Sequence, residues 1–137
     1  MKLTLLPFEY GSSSDFESIF RAIINARANG ITVLGDGVIF NQRDKIAKLA
    51  MQNRLPSIYP NKDYVEVAGL MSYGVDFADN MRRSATYVDK ILKGAKPGDL
   101  PVEQPTRFEL AINLKTAKQI GVTIPQTVLY RADRVIK

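Results

Sequence analysis

The stretch Gly69-Leu70-Met71-Ser72-Tyr73-Gly74-Val75-Asp76, running directly into Phe77 through Gly94, decides the architecture. Leu70 to Tyr73 has the length and character of a buried strand. Asp76 is a residue type whose carboxylate accepts the free amides of a helix's first turn. Beyond it, Phe77, Met81, Ser84/Ala85, Val88 and Ile91/Leu92 recur at helical spacing, and Gly94 ends the pattern.

The same strand-then-helix grammar extends in both directions. Toward the N-terminus, Pro56-Ser57-Ile58-Tyr59 reads as a strand, Pro60-Asn61 as a turn, and 63–67 as a short helix. Ile31-Thr32-Val33-Leu34 is a short apolar run bounded by Gly35-Asp36-Gly37, which suits a parallel strand covered on both faces. Asn41 is placed to cap a helix carrying Ile46, Leu49 and Ala50. Residues 3–8 form another expected strand. Ser14 and Glu17 have capping-box spacing ahead of Phe16, Ile19, Phe20, Ile23, Ile24 and Ala28, with Gly30 as the expected left-handed stop. Toward the C-terminus, residues 96–101 form a loop and Phe108 to Ile112 a strand. Asn113 caps a helix that Gly121 stops, a short helical piece follows Ile124-Pro125, and Arg134-Val135-Ile136 is a terminal strand. Alternation with short connections predicts an α/β fold, a Rossmann-like, mostly parallel sheet flanked by helices. Ligands of such sheets sit outside the carboxyl ends of the strands.

Composition removes whole classes of chemistry. The 137 residues, 45% hydrophobic and 24% charged, suit one domain and include neither cysteine nor histidine. A Ser-His-Asp triad, a zinc site and a Cys-His pair are thereby excluded. The net charge of +5 comes from bases spread among acids along the chain, the pattern of a solvated surface and not of a nucleic-acid stripe. No run reaches the length of a membrane span. The first residues are basic and then apolar, but Pro7, Glu9 and Asp15 interrupt too early for a signal peptide. The chain as it stands is therefore expected in the cytoplasm.

Candidate site residues cluster at strand ends. Gly35-x-Gly37 lacks the third glycine of a dinucleotide loop, since Phe40 stands there, and no Walker lysine follows. The pair instead implies a tight turn with positive φ. Asp36 has no evident capping duty, and with Phe40 beside it offers an acid and an aromatic face to an amine-bearing solute; a structural role stays open. Asn41 serves equally as a cap. Tyr59 and Tyr73, at successive strand ends, are either wall packing or ligand contacts. Ser72 and Tyr73, ahead of the Asp76 cap, are placed to meet a carboxylate at a helix N-terminus. Carboxylate pairs such as Asp76/Asp79 and Glu103/Glu109 are accounted for by caps and exposed faces.

The run 69–76 also resembles the ABC-transporter substrate-binding proteins that include tryptophan- and tyrosine-binding members. So do Tyr87-Val88-Asp89-Lys90-Ile91-Leu92-Lys93-Gly94-Ala95-Lys96-Pro97, Asp99-Leu100-Pro101-Val102-Glu103-Gln104-Pro105, Phe108-Glu109-Leu110, Ile112-Asn113-Leu114-Lys115-Thr116-Ala117-Lys118 and Arg131-Ala132-Asp133-Arg134-Val135-Ile136. The likeness extends more loosely through Leu6-Pro7-Phe8-Glu9 and residues 53–59. It implies part of a type I periplasmic binding protein: two Rossmann-like lobes around a hinge, solute in the cleft, a periplasmic location for the family, an ABC permease as partner, no cofactor, no metal and no catalysis.

The same resemblance implies that this chain is an incomplete second lobe. Residues 2–74 and 106–137 would form the lobe, 76–95 the helix that packs on a first lobe, and 96–105 the linker. The first lobe and the first strand and helix of the second would be missing, which exposes the Phe77-to-Leu92 stripe and predicts a homo-oligomer formed through it. Two other functions stay open, a fragment without binding activity and a small flavodoxin-like enzyme using Asp36 and Asp76.

Overall fold

The computed structural model describes residues 3–11 and 15–137. In chain order its elements are α1 (Phe16–Asn25), β1 (Ile31–Thr32), α2 (Gly37–Asn41), α3 (Arg43–Gln52), β2 (Ser57–Tyr59), α4 (Asp63–Glu66) and β3 (Met71–Val75). There follow α5 (Phe77–Leu92), β4 (Phe108–Asn113), α6 (Leu114–Ile120), α7 (Gln126–Leu129) and β5 (Arg134–Ile136). The five strands lie in the order β1-β2-β3-β4-β5. Pairing is parallel except between β3 and β4, which run antiparallel with Tyr73 opposite Leu110 and Gly74 opposite Glu109. The sheet is thus mostly parallel, as its alternating sequence requires.

Side-chain parity separates the two faces. Ser57 and Tyr59 on β2, Ser72 on β3, and Ala111 and Asn113 on β4 are buried toward one side. There Phe16, Phe20 and Ile23 of α1 pack with Ile46, Ala47 and Ala50 of α3, and with Tyr59 and Tyr64. Burying each of the larger apolar side chains contributes roughly 1.5–3 kcal/mol. A second cluster joins Leu70 to Ala117 and Ile120 of α6. On the opposite face Ile58, Tyr73 and Phe108 stay solvent-exposed. The larger part of the core is on one side, while Ile112 is fully buried on the other.

The caps are local chemistry. Asp15 accepts the Ser18 amide at 2.6 Å, Asp76 the Asp79 amide at 3.1 Å, and Asn113 the Thr116 amide at 3.0 Å. The expected Ser14 cap lies outside the described residues, and Asp15 performs that duty for α1. Gly121 closes α6 at φ +78° and Gly94 follows α5 at φ +100°.

Several expectations are corrected. Residues 3–8 form no strand: no strand among the described residues pairs with them, and Leu3 and Leu5 project into solvent. β1 is a two-residue edge strand, not a strand covered on both faces, and Leu34 is 77% exposed. The left-handed residue after α1 is Arg27 (φ 54°), not Gly30. A Cβ at Gly30 would instead stand 3.0 Å from the Pro56 carbonyl oxygen, so glycine serves close approach there. Gly35 and Gly37 have no positive φ.

Candidate functional site

The parallel strands β1, β2 and β3 present their carboxyl ends along one rim, and antiparallel β4 begins at the same rim. Four short segments meet there: Gly35-Asp36-Gly37 after β1, Asn61-Lys62-Asp63 after β2, Asp76 with the first turn of α5 after β3, and Arg107 to Glu109 entering β4. A cleft of about 220 Å³ opens between Asn61, Lys62, Gly74, Phe77, Ala78 and Glu109.

Opposite charges alternate around this cleft. The Lys62 ammonium lies 2.9 Å from Glu109, and the Arg107 guanidinium 3.5 Å from Asp76. Glu109 holds the Lys62 pKa above its ordinary value. The Asp79 amide, with lesser help from Arg107 and Lys62, holds the Asp76 carboxyl below its ordinary value. At neutral pH the rim therefore carries fixed charges of both signs beside the N-terminus of a 16-residue helix. Aromatic surface adjoins them: Tyr73 stacks on Phe108 with ring centroids 5.7 Å apart, and Phe77 is 68% exposed. Such a site suits a small zwitterion with an apolar or aromatic side chain.

The structure distributes the sequence candidates over three levels. Asp36 lies on the rim, but its Oδ1 accepts the Val38 and Ile39 amides at 2.8 and 3.1 Å. It is the cap of α2, contrary to the expectation that it has no capping duty. Oδ2 is not used in that cap. Asn41 is correspondingly not a cap: it closes α2, and α3 starts after Gln42 without a side-chain cap. Phe40 is half-buried, edge-on to Tyr64 at 6.0 Å, with the Arg43 guanidinium 4.8 Å above its ring.

Tyr59 and Ser72 lie beneath the rim, each 1% exposed, and not on it as expected. Tyr59 stacks on Tyr64 at 4.6 Å, and burial pushes its hydroxyl pKa up to about 12. Among the described residues the buried hydroxyls of Tyr59, Tyr64 and Ser72 meet no partner at hydrogen-bond geometry, although Ser57 lies close enough to Tyr59 to oppose the rise in its pKa. Tyr73 is mid-strand, 57% exposed on the open face of the sheet. Asp76 caps α5 as expected.

Lys62, Arg107 and Glu109 are the rim residues that sequence reasoning passed over. Glu109 reaches the rim because β4 runs antiparallel to β3, a direction that hydrophobic patterning does not encode. Lys62 carried a weak signal, since it follows a strand and a Pro-Asn turn at the height of Asp36.

The model of the ABC transporter substrate binding protein family matches residues 1–136. The chain belongs to this family. A conserved domain protein from Vibrio cholerae O1 biovar eltor is 32% identical and superposes with a TM-score of 0.80, over 87% of this chain and 40% of that one. An ABC domain from Streptococcus pneumonia, crystallised in complex with L-Trp, is 30% identical with a TM-score of 0.77, over 87% and 41% of the two chains. A ligand-free, open substrate binding protein with adhesive properties from Clostridium difficile, 20% identical with a TM-score of 0.62, shares the fold. A tyrosine-binding protein of Clostridioides difficile is 25% identical over 87 residues, which are 64% of this chain and 25% of that protein. This family member therefore spans less than half the length of these relatives. Among its described residues no helix is long and apolar enough to cross a membrane.

Proposed function

We propose that this chain supplies one wall of a solute-binding cleft in an ABC import system, for a small amino-acid-like or aromatic solute, without catalysis. The observation that carries this is the rim itself. In a chain matched by the substrate-binding family over residues 1–136, fixed charges of both signs and exposed aromatic rings meet at the carboxyl ends of the strands. Relatives crystallised with L-Trp or named for tyrosine binding support the solute class. In this role the free oxygen of Asp36 takes the solute ammonium, the Lys62 and Arg107 cations beside Asp76 take the carboxylate, and Tyr73 stacked on Phe108 offers an aromatic face to the side chain. Asn41 and Tyr59 support the loop and the floor.

The partner in transport is an ABC permease, which places the action outside the cytoplasmic membrane. Self-association through α5 belongs to the same proposal, because no side chain of that helix is buried.

The test is a thermal-shift screen with the proteinogenic amino acids. A ligand at 100 times its Kd stabilises by about 2.7 kcal/mol. A rise with aromatic amino acids and none with acidic ones supports the proposal. No rise with any of them favours a fragment that folds without binding.

A further inference from the structure

Glu109 stands where sheet parity calls for a core residue, and its role there deepens the reading of the rim as a solute wall, on which this inference rests. Ala111 and Asn113 share its parity on β4, and both are buried on the face that also holds Tyr59 and Ser72. An apolar side chain at 109 would carry that core to the end of the sheet. The chain places a carboxylate there instead. Its cross-strand partner is Gly74, and directly opposite residues of an antiparallel pair point the same way. A Cβ on Gly74 would run into the Pro60 carbonyl, so the turn after β2 lies on the side to which Glu109 points. From that turn the Lys62 ammonium donates to Glu109 Oε2 at 2.9 Å.

No structural duty accounts for this pair. Asp76, the other rim acid with a cationic partner, caps α5 through Oδ1 and faces Arg107 through Oδ2. Glu109 caps nothing, and Lys62 is its one side-chain partner among the described residues. A part-exposed ion pair of flexible side chains contributes little to stability. Both groups do, however, line the cleft of about 220 Å³. A solute carboxylate that approaches Lys62 therefore also approaches Glu109. It meets a like charge there, in surroundings that screen less than bulk water.

We infer that Glu109 is a specificity-determining residue, an internal counter-ion that occupies Lys62 and yields it to a solute carboxylate only by exchange. The solute's ammonium and apolar side chain must then supply the affinity that makes the exchange favourable. A small carboxylate without them is refused, and an acidic amino acid is opposed twice. The cleft thereby selects for the whole amino-acid-like solute and against its anionic part alone.

Calorimetric titration of the chain with L-tryptophan and with tryptamine, which keeps the ring and ammonium but has no carboxylate, tests this. Glu109→Gln keeps the shape of the side chain and removes its charge. It should tighten L-tryptophan binding roughly tenfold, the scale of one like-charge contact at a partly solvated site, and leave tryptamine unchanged or weaker. A change that merely loosened the fold would move both ligands together. In a Lys62→Gln background the same substitution should bring less than about threefold, because the cation it releases is gone. The pair is also read without solute: a carbon NMR titration of Lys62 Cε should show a lower pKa in Glu109→Gln than in wild type, since Glu109 holds that pKa up. L-tryptophan binding that is equal or weaker in Glu109→Gln, parallel shifts for both ligands, or an unchanged Lys62 titration overturns the role of Glu109 and leaves the solute wall standing. Silence of both proteins toward both ligands overturns the solute wall and this inference with it.

Discussion

A Cβ built on Gly74 would stand 1.8 Å from the carbonyl oxygen of Pro60, so β3 meets the turn after β2 backbone to backbone at the rim. No L side chain fits that gap without separating the two segments. Gly74→Ala is expected to destabilise the chain by roughly 1–3 kcal/mol or more. Gly98→Ala, where nothing lies within 4 Å of the added carbon, should stay within about 0.5 kcal/mol of wild type. Urea unfolding of the two variants checks this, and equal midpoints would refute the close approach.

Asp36 is assigned two duties that separate by substitution. Its Oδ1 caps α2, so Asp36→Ala should cost about 0.5–2 kcal/mol, whereas Asp36→Asn keeps an oxygen for the cap and should cost little. Both changes remove the negative charge and should weaken solute binding alike. Thermal unfolding reads the first effect and calorimetric titration the second.

The Tyr59 hydroxyl is buried and meets no partner at hydrogen-bond geometry among the described residues. Removing an unsatisfied polar atom while keeping the ring should not harm the fold. Tyr59→Phe is expected to match wild type or gain up to roughly 1 kcal/mol. Tyr59→Ala removes the stacking against Tyr64 and should cost about 3–5 kcal/mol. A Tyr59→Phe variant clearly less stable than wild type would mean that the hydroxyl is bonded in solution.

Stability should be flat across neutral pH, because no histidine is present to titrate there. Asp15 and Asp76 sit below their ordinary 3.8, mainly through amides of the helices they cap, and Glu103 below 4.5, mainly through Arg83. Their folded-state pKa values are depressed, so their contribution is present above those ordinary values and lost as pH falls through the lower folded ones. Tyr59 and Lys62 have raised values, so their contribution is present below 10.0 and 10.5 respectively and lost as pH climbs; for Tyr59 the loss is complete near 12. Denaturant midpoints from acid to alkaline pH should trace a plateau with losses at both ends. Tyrosinate absorbance should show Tyr59, Tyr64 and Tyr87 ionising later than free tyrosine.

Elements whose signals were local were legible in the sequence. Asp76 and Gly94 bracket α5, Asn113 and Gly121 bracket α6, and each cap operates as its residue type requires. What depended on neighbours was not. Residues 3–8 have strand composition, but a strand exists only through its ladder, and no strand among the described residues pairs with them. Asp36 takes the capping role expected of Asn41 because β1 ends at Thr32 and α2 begins at Gly37, before the helix that apolar spacing marks. At the site the loops were found, but side-chain directions follow pleat parity. One residue's difference in parity sends Tyr59 into the core and Tyr73 into solvent. Glu109 needed the direction of β4, which is set by how the linker returns from α5.

An amide-resolved NMR titration of the chain with L-tryptophan tests the central claim most directly. A solute wall at this rim predicts saturable shifts concentrated at residues 35–42, 60–63, 72–78 and 107–109, the four segments that meet there. Shifts that are absent at millimolar ligand, or that cluster instead on the outer faces of α1 and α3, would contradict it.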